Sequence, residues 1–297
     1  MPEPAPPRKI PLGPPSSPWH HSPTTGFDLT RASPSRLTIE TTTTPLTLSP
    51  TTTALLIIDM QNFFLSPALG HPPPSPGHAA CAQLVQHAVP AARRAGIRVV
   101  WVNWGLTEGE VRDMPAGVGR AFGFRAEGAE GVDGVRFDKH GREGRGGGLG
   151  REMGAVEVGG ETVDAGRALM RGSWNAGLYG PLGEVFEAGR ARAVRPDVWV
   201  HKNRMSALWG ATTELQGLLE SEGITTLLFA GVNTDQCVGG TLTDAFSKGY
   251  DCVLLSDGCG TSSPGFAQEC WEYNAAHTFG FCTSCEKFAD AVEKMGK

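Results

Sequence analysis

Three side chains of this 297-residue sequence have the types and positions needed for nucleophilic chemistry: the carboxylate of Asp59, the ammonium of Lys202 and the thiol of Cys237. Asp59 closes the apolar run Thr53–Ile58, Lys202 follows the run at 198–201, and Cys237 stands in the first turn of a helix that follows the run at 225–231. The unpaired N–H groups and dipole of a helix start favour a thiolate, which predicts a Cys237 pKa below the ordinary value of about 8.5. A neighbouring Lys202 ammonium would push the same way. Asp59 is then placed to take the thiol proton and return it to a leaving group. Each residue alone also has a plainer reading. A free cysteine is commonly a small buried hydrophobe, an aspartate after a strand is often a helix cap, and a lysine is usually a solvated charge.

The elements that must bring these groups together follow from the apolar pattern. The short continuous runs Thr53–Ile58, 97–103, 198–201, 225–231, 252–256 and Phe281–Thr283 read as strands buried on both faces. Helices are expected between them at 79–95, closed by Gly96, at 211–221, ended by Gly223, at 235–248, ended by Gly249, and at 264–278; a last helix covers 284–295. Strands alternating with helices imply parallel pairing. The expected fold is therefore α/β: a doubly wound, mostly parallel six-stranded sheet with helices on both faces, a Rossmann-like three-layer arrangement. Function in such sheets sits beyond the carboxyl ends of the strands, where all three chemical groups lie.

Two stretches break the rhythm. More than half of the 22 prolines fall within residues 1–50, so residues 1–49 are expected to be a proline-rich N-terminal arm outside the core, either loose over 1–25 or wrapped around a neighbouring subunit. Within it, 36–42 and Leu46–Leu48 have β-branched, strand-like character. The remaining domain, 50–297, contains a glycine-rich excursion at 105–172, which is expected to be partly ordered and to lie over the pocket.

Composition narrows the partners. A net charge of −5 gives no basic stripe for nucleic acid, and no apolar run approaches the roughly 18–20 residues of a membrane span. Residues 1–21 lack the apolar core of a secretory leader. Seven cysteines, an odd number in a long chain, suit reduced thiols and a cytoplasmic protein better than a disulfide framework. No metal and no cofactor are expected. Cys282-Thr283-Ser284-Cys285 is a single C-x-x-C without a second pair, His20-His21 has no further ligands nearby, and the glycine run at 141–150 lacks the G-K-[ST] of a phosphate loop.

Read together, the flanking residues carry a resemblance. Leu56-Ile57-Ile58-Asp59-Met60-Gln61-Asn62-Phe63-Phe64, Lys202 with Ser206-Ala207 four residues on, and Gly231-Val232-Asn233-Thr234-Asp235-Gln236-Cys237-Val238 with Thr241 behind it resemble, in order, three signatures of the isochorismatase-like cysteine hydrolases. The resemblance spans about residues 50–285 and leaves out the arm and the excursion. It implies Asp59 as general base and acid, Cys237 as nucleophile and Lys202 as their electrostatic partner. It also implies a cis peptide at Val232–Asn233, aiming the backbone N–H of Asn233 and that of Cys237 at an oxyanion. Members that cleave the vinyl ether of isochorismate need no nucleophile, so the retained cysteine implies hydrolysis of an amide, carbamoyl or ureido C–N bond through a thioester. Nicotinamidase-like members carry metal-binding Asp and His residues just after the second strand. Here that stretch is Asn103-Trp104-Gly105-Leu106-Thr107, which argues against a metal and against nicotinamide.

Gln61, Phe64, Asn103, Trp104, Trp174 and Trp209 are candidate substrate-binding walls for a small molecule, since such sites are aromatic with a few polar groups; core packing is the plainer role of each tryptophan. Two other functions compete: an isochorismate-type vinyl ether hydrolase using Asp59 as acid, and a catalytically silent binding protein with the same fold. By resemblance the fold assembles as a homo-oligomer. Iodoacetamide is expected to label Cys237 ahead of the other thiols.

Overall fold

Uninterrupted apolar runs can be buried only in a sheet covered on both sides, and that is how they are used. In the computed structural model, which describes residues 9–128, 130–144 and 146–295, six strands pair in the order Val198–Lys202, Arg98–Trp104, Thr53–Ile58, Thr226–Val232, Asp251–Gly260 and Phe281–Thr283. Every pairing is parallel. Alternate residues feed opposite layers: Leu55 and Ile57 join Leu84, Val89, Leu182 and Phe288 on one face, while Leu56 and Ile58 join Leu215, Leu219, Val238 and Leu242 on the other. The strand order reverses between Thr53–Ile58 and Thr226–Val232, the strands that precede Asp59 and Cys237. This is the switch point at which a doubly wound sheet opens a crevice.

The helices follow their local signals. Ser75 accepts the His78 amide and Pro76 opens the helix, which runs on through a π turn at Leu84–Ala88 and ends where Gly96 adopts φ 74°. The helix therefore starts before residue 79, because the Ser-Pro cap lies upstream of the first periodic apolar position. No helix among the described residues is long and apolar enough to cross a membrane.

The N-terminal region departs from expectation. Residues 1–8 lie outside the described residues, but from Ile10 onward the chain forms a five-stranded sheet, in the order Ile10–Leu12, Trp19–Ser22, Gly26–Asp28, Leu46–Leu48 and Leu37–Ile39. It is neither loose nor outside the core: Leu29, Leu37, Ile39, Leu46 and Leu48 are buried in the same cluster as Leu84 and Phe288 of the main domain. The expected arm is thus a second small sheet packed on its own chain. Its physical cause is a set of leucines and an isoleucine that proline content had obscured.

The excursion is built from short pieces. A capping box at Thr107 and Glu110 starts the helix Glu108–Arg112, a second helix covers Ala116–Ala121, and Ala155–Val158 pairs with Glu161–Asp164. Its return path is tied to its start, with the Leu106 amide donating to the Leu169 carbonyl at 2.8 Å. Val111, Met114 and Phe122 pack on the core cluster that contains Cys237.

Candidate active site

Asp59 leaves its strand with φ 55°, a left-handed conformation that a non-glycine residue adopts only where its surroundings enforce it. Its amide donates to the Val102 carbonyl at 2.9 Å and its carbonyl accepts the Gln61 amide at 2.7 Å. The turn aims the buried carboxylate sideways along the rim. Oδ1 accepts the Trp104 amide at 3.2 Å, and Oδ2 pairs with Lys202 Nζ at 2.9 Å. The ammonium also lies 4.0 Å from the centre of the Trp104 ring and donates to the Arg204 carbonyl at 3.0 Å. A cation held by a carboxylate, a carbonyl and an aromatic face needs little water, so this lysine is buried.

Cys237 reaches the same spot from the next strand. The Thr226–Val232 strand lies directly against Thr53–Ile58, with Gly231 opposite Ile58. Gly231 has φ 120°, and a side chain there would begin 2.0 Å from the Ile58 carbonyl oxygen. Only glycine permits this approach. The Val232–Asn233 peptide that follows is cis. The Asn233 carbonyl accepts the amides of Gln236 and Val238, the neighbours of Cys237 on either side, in a π turn that opens the helix Gly239–Ser247. Thr241 ties this helix to the Lys202 segment: its hydroxyl donates to the Cys237 carbonyl at 2.7 Å and accepts the Ala207 amide at 3.2 Å. Asp235 accepts from the hydroxyls of Thr261 and Ser263, bracing the turn from outside.

Carboxylate, ammonium and sulfur therefore meet, with Asp59 and Lys202 both close enough to bear on the charge of the Cys237 thiol. The electrostatics differ from the sequence expectation. Burial and the adjacent carboxylate push the Cys237 thiol up to about 12, while Lys202 and the Trp104 indole pull weakly the other way. Burial also raises the Asp59 carboxyl, against the Lys202 ammonium and the thiol hydrogen bond. The helix start does not produce a standing thiolate; burial and the nearby Asp59 carboxylate favour the protonated sulfur. Cys237 is only 4% exposed, whereas Cys270 is open to solvent. The expected order of iodoacetamide labelling is accordingly reversed, with Cys270 first.

Of the six candidate walls, Gln61 and Asn103 border none of the cavities that the others line. Gln61 is buried, and its amide group is consumed by Trp104 O at 2.8 Å, Ala176 O at 2.7 Å and the Trp104 amide at 3.1 Å. Trp104 is buried as the seat of Lys202 and also borders the cavity that Trp174 lines. Asn103 is buried on the opposite face of the sheet from Trp104, and both polar atoms of its side chain lack a protein partner. Phe64 does line a cavity of about 220 Å³ together with Val232, Asn233, His71 and Thr261. Trp174 lines a separate cavity of about 470 Å³ with Asn62, Trp199 and His201. Trp209 is 52% exposed and caps a third, about 330 Å³, that touches Lys202, Asn203 and Glu110. Sequence reasoning missed Met205, whose sulfur lies 3.5 Å from Cys237 Sγ. Its place inside the Lys202 signature was the available signal.

Comparison with known proteins bears on the fold. Residues 170–287 match a family model described as the isochorismatase domain, a shorter span than the 50–285 of the sequence resemblance and one that excludes Asp59. The fold likeness reaches further. A cysteine hydrolase from Pseudomonas syringae pv. phaseolicola 1448A is 19% identical, with 83% of this chain and 95% of that one covered at a TM-score of 0.54. A pyrazinamidase/nicotinamidase from Streptococcus mutans UA159 is 17% identical, covering 78% and 99% at 0.53. A nicotinamidase from Bacillus subtilis is 20% identical, covering 78% and 99% at 0.52. The likeness to the isochorismatase domain therefore covers residues 170–287, and the chain has the isochorismatase-like α/β fold.

Proposed function

We propose that this protein is a cysteine hydrolase that cleaves a C–N bond of a small amide, carbamoyl or ureido compound. The observation that carries the reading is the meeting of a Lys202-paired Asp59 with the Cys237 thiol at the switch point of the sheet. As sulfur attacks the carbonyl carbon, its proton passes to Asp59, so the thiolate exists only while the new C–S bond forms. A raised carboxyl makes Asp59 a better proton acceptor than an ordinary aspartate. The backbone N–H groups of Asn233 and Cys237 receive the developing oxyanion. The C–N bond then breaks, the amine leaves with the proton from Asp59, and water, deprotonated by the same carboxylate, hydrolyses the thioester. Lys202 keeps the carboxylate in place through the cycle. No cofactor or metal takes part in this scheme. The seven cysteines are all unpaired, which suits a cytoplasmic setting, and assembly as a homo-oligomer belongs to the same proposal.

Cys237→Ala should lower turnover by more than about a thousandfold, and mass spectrometry after incubation with an amide library should find an acyl adduct on Cys237 alone. Full activity of Cys237→Ala would refute the nucleophile. One observation favours a second reading: a carboxyl raised by burial is also suited to protonating a vinyl ether as an isochorismate-type hydrolase does. That activity would survive Cys237→Ala and be lost in Asp59→Ala.

A further inference from the structure

The sulfur that should attack a substrate already has a neighbour. Met205 Sδ sits 3.5 Å from Cys237 Sγ, and the cavities lined by Phe64 and by Trp209 stop short of the thiol. Met205 belongs to a short irregular stretch between two fixed points. On one side Lys202 is buried against Asp59; on the other, Ala207 and Leu208 are buried and the Ala207 amide is held by Thr241. The residues between are held by polar latches at the surface. The Asn203 side chain donates to Glu110 at 2.7 Å and accepts the Trp209 indole N–H at 3.1 Å. Arg204 lies over the Trp209 ring at 5.0 Å and reaches the sulfur of Met114 at 3.5 Å. Glu110 and Met114 both come from the excursion, so the stretch is tied to the segment that covers this side of the sheet.

We propose that Met205 is a plug on the nucleophile and that residues 203–205 form its gate, latched to the excursion through Asn203 and Glu110. Resting on the hydrolase reading for its purpose, the gate would have a second role. The space that Met205 vacates is the space that the acyl portion of a substrate must enter, so this side chain sets the size of acyl group admitted. An unbranched thioether suits the task, because it fills an irregular gap and changes rotamer at little cost. The latch contacts are surface polar contacts, individually weak, so the gate can open without disturbing the core. Opening would also move the Arg204 carbonyl away from Lys202 Nζ, leaving the ammonium to Asp59 and the Trp104 ring.

The test is the rate at which iodoacetamide modifies each cysteine of the intact protein, followed by peptide mass spectrometry. Exposed Cys270 serves as the internal standard, and buried Cys252 and Cys285 report unfolding. In Met205→Ala the Cys237 rate should rise by about tenfold or more relative to Cys270, the gain expected when a closed state of roughly 90% population loses its plug. Asn203→Ala, which removes the two latch hydrogen bonds and leaves Met205 in place, should give a smaller rise, and Met205→Leu should stay near the parent. Unchanged Cys237 labelling in Met205→Ala, with Cys252 and Cys285 still protected, would overturn the plug. A rise matched by Cys252 and Cys285 would mean general loosening and would overturn it too. Labelling requires no turnover, so the plug stands or falls even if every amide proves inert. Its role in selection is tested by the ratio of kcat/KM for a bulky over a small acyl amide, which should increase in Met205→Ala and would disprove that role if unchanged.

Discussion

Two buried aspartates stand at opposite ends of the same sheet and are treated in opposite ways. Asp251 opens the strand Asp251–Gly260 at the amino edge. Its Oδ1 accepts the Trp19 indole N–H at 2.8 Å and Arg31 at 2.9 Å, and its Oδ2 accepts Arg31 at 2.7 Å and the Thr226 hydroxyl at 2.8 Å. Four directed donors saturate it, and two of the donor residues come from the N-terminal sheet, so this carboxylate fastens one sheet to the other. Asp59, at the carboxyl edge, has one ammonium, one long amide hydrogen bond and a thiol whose proton it can take. It sits on a left-handed backbone that its neighbours must maintain. A carboxylate that only holds structure is given every donor it can use; one that is to accept a proton is left with capacity unfilled.

The contrast can be broken by experiment. The largest effect is expected from Asp59→Asn, which should cut turnover by roughly a hundred- to ten-thousandfold, read by steady-state kinetics on whichever amide the wild type accepts. Asp251→Asn should do the reverse, lowering stability by about 2–4 kcal/mol in urea unfolding while leaving kcat intact at low temperature. If it abolished turnover in a folded protein, the division of labour between the two edges would be wrong. The acid limb of the kcat/KM profile sharpens the picture. Because the base must be ionised and burial raises its pKa above 3.8, activity should fall with decreasing pH at a midpoint above that value; a midpoint at or below it would count against Asp59. The smallest change is Trp19→Phe, which removes one of four donors and should cost about 1 kcal/mol with no change in kinetics.

Much of this architecture was legible from sequence because it is local. The strands Thr53–Ile58 and Phe281–Thr283 match their apolar runs to the residue, and the rule that chemistry lies at strand ends picks out Asp59, Lys202 and Cys237 as candidates. What was not legible depends on partners far along the chain. Leu37, Ile39, Leu46 and Leu48 alternate with threonines and were readable as strands, but their burial against the main domain was not. The Arg31–Asp251 pair joins positions no local pattern relates. The direction of the Cys237 shift was misjudged for a similar reason: a helix start is visible in sequence, whereas the enclosing core and the carboxylate beside the sulfur are not. The same blindness put Gln61 on a pocket wall when it is an internal brace.

Gly231 has a consequence beyond its own conformation. Because its missing side chain lets two strand ends touch, the spacing between the segments that carry Asp59 and Cys237 is dictated by main chain rather than by rotamers. Such a ruler cannot be retuned gradually: even a single added methyl group would wedge base from sulfur. On the proposed reading, variation in substrate would be confined to the rim around this fixed pair.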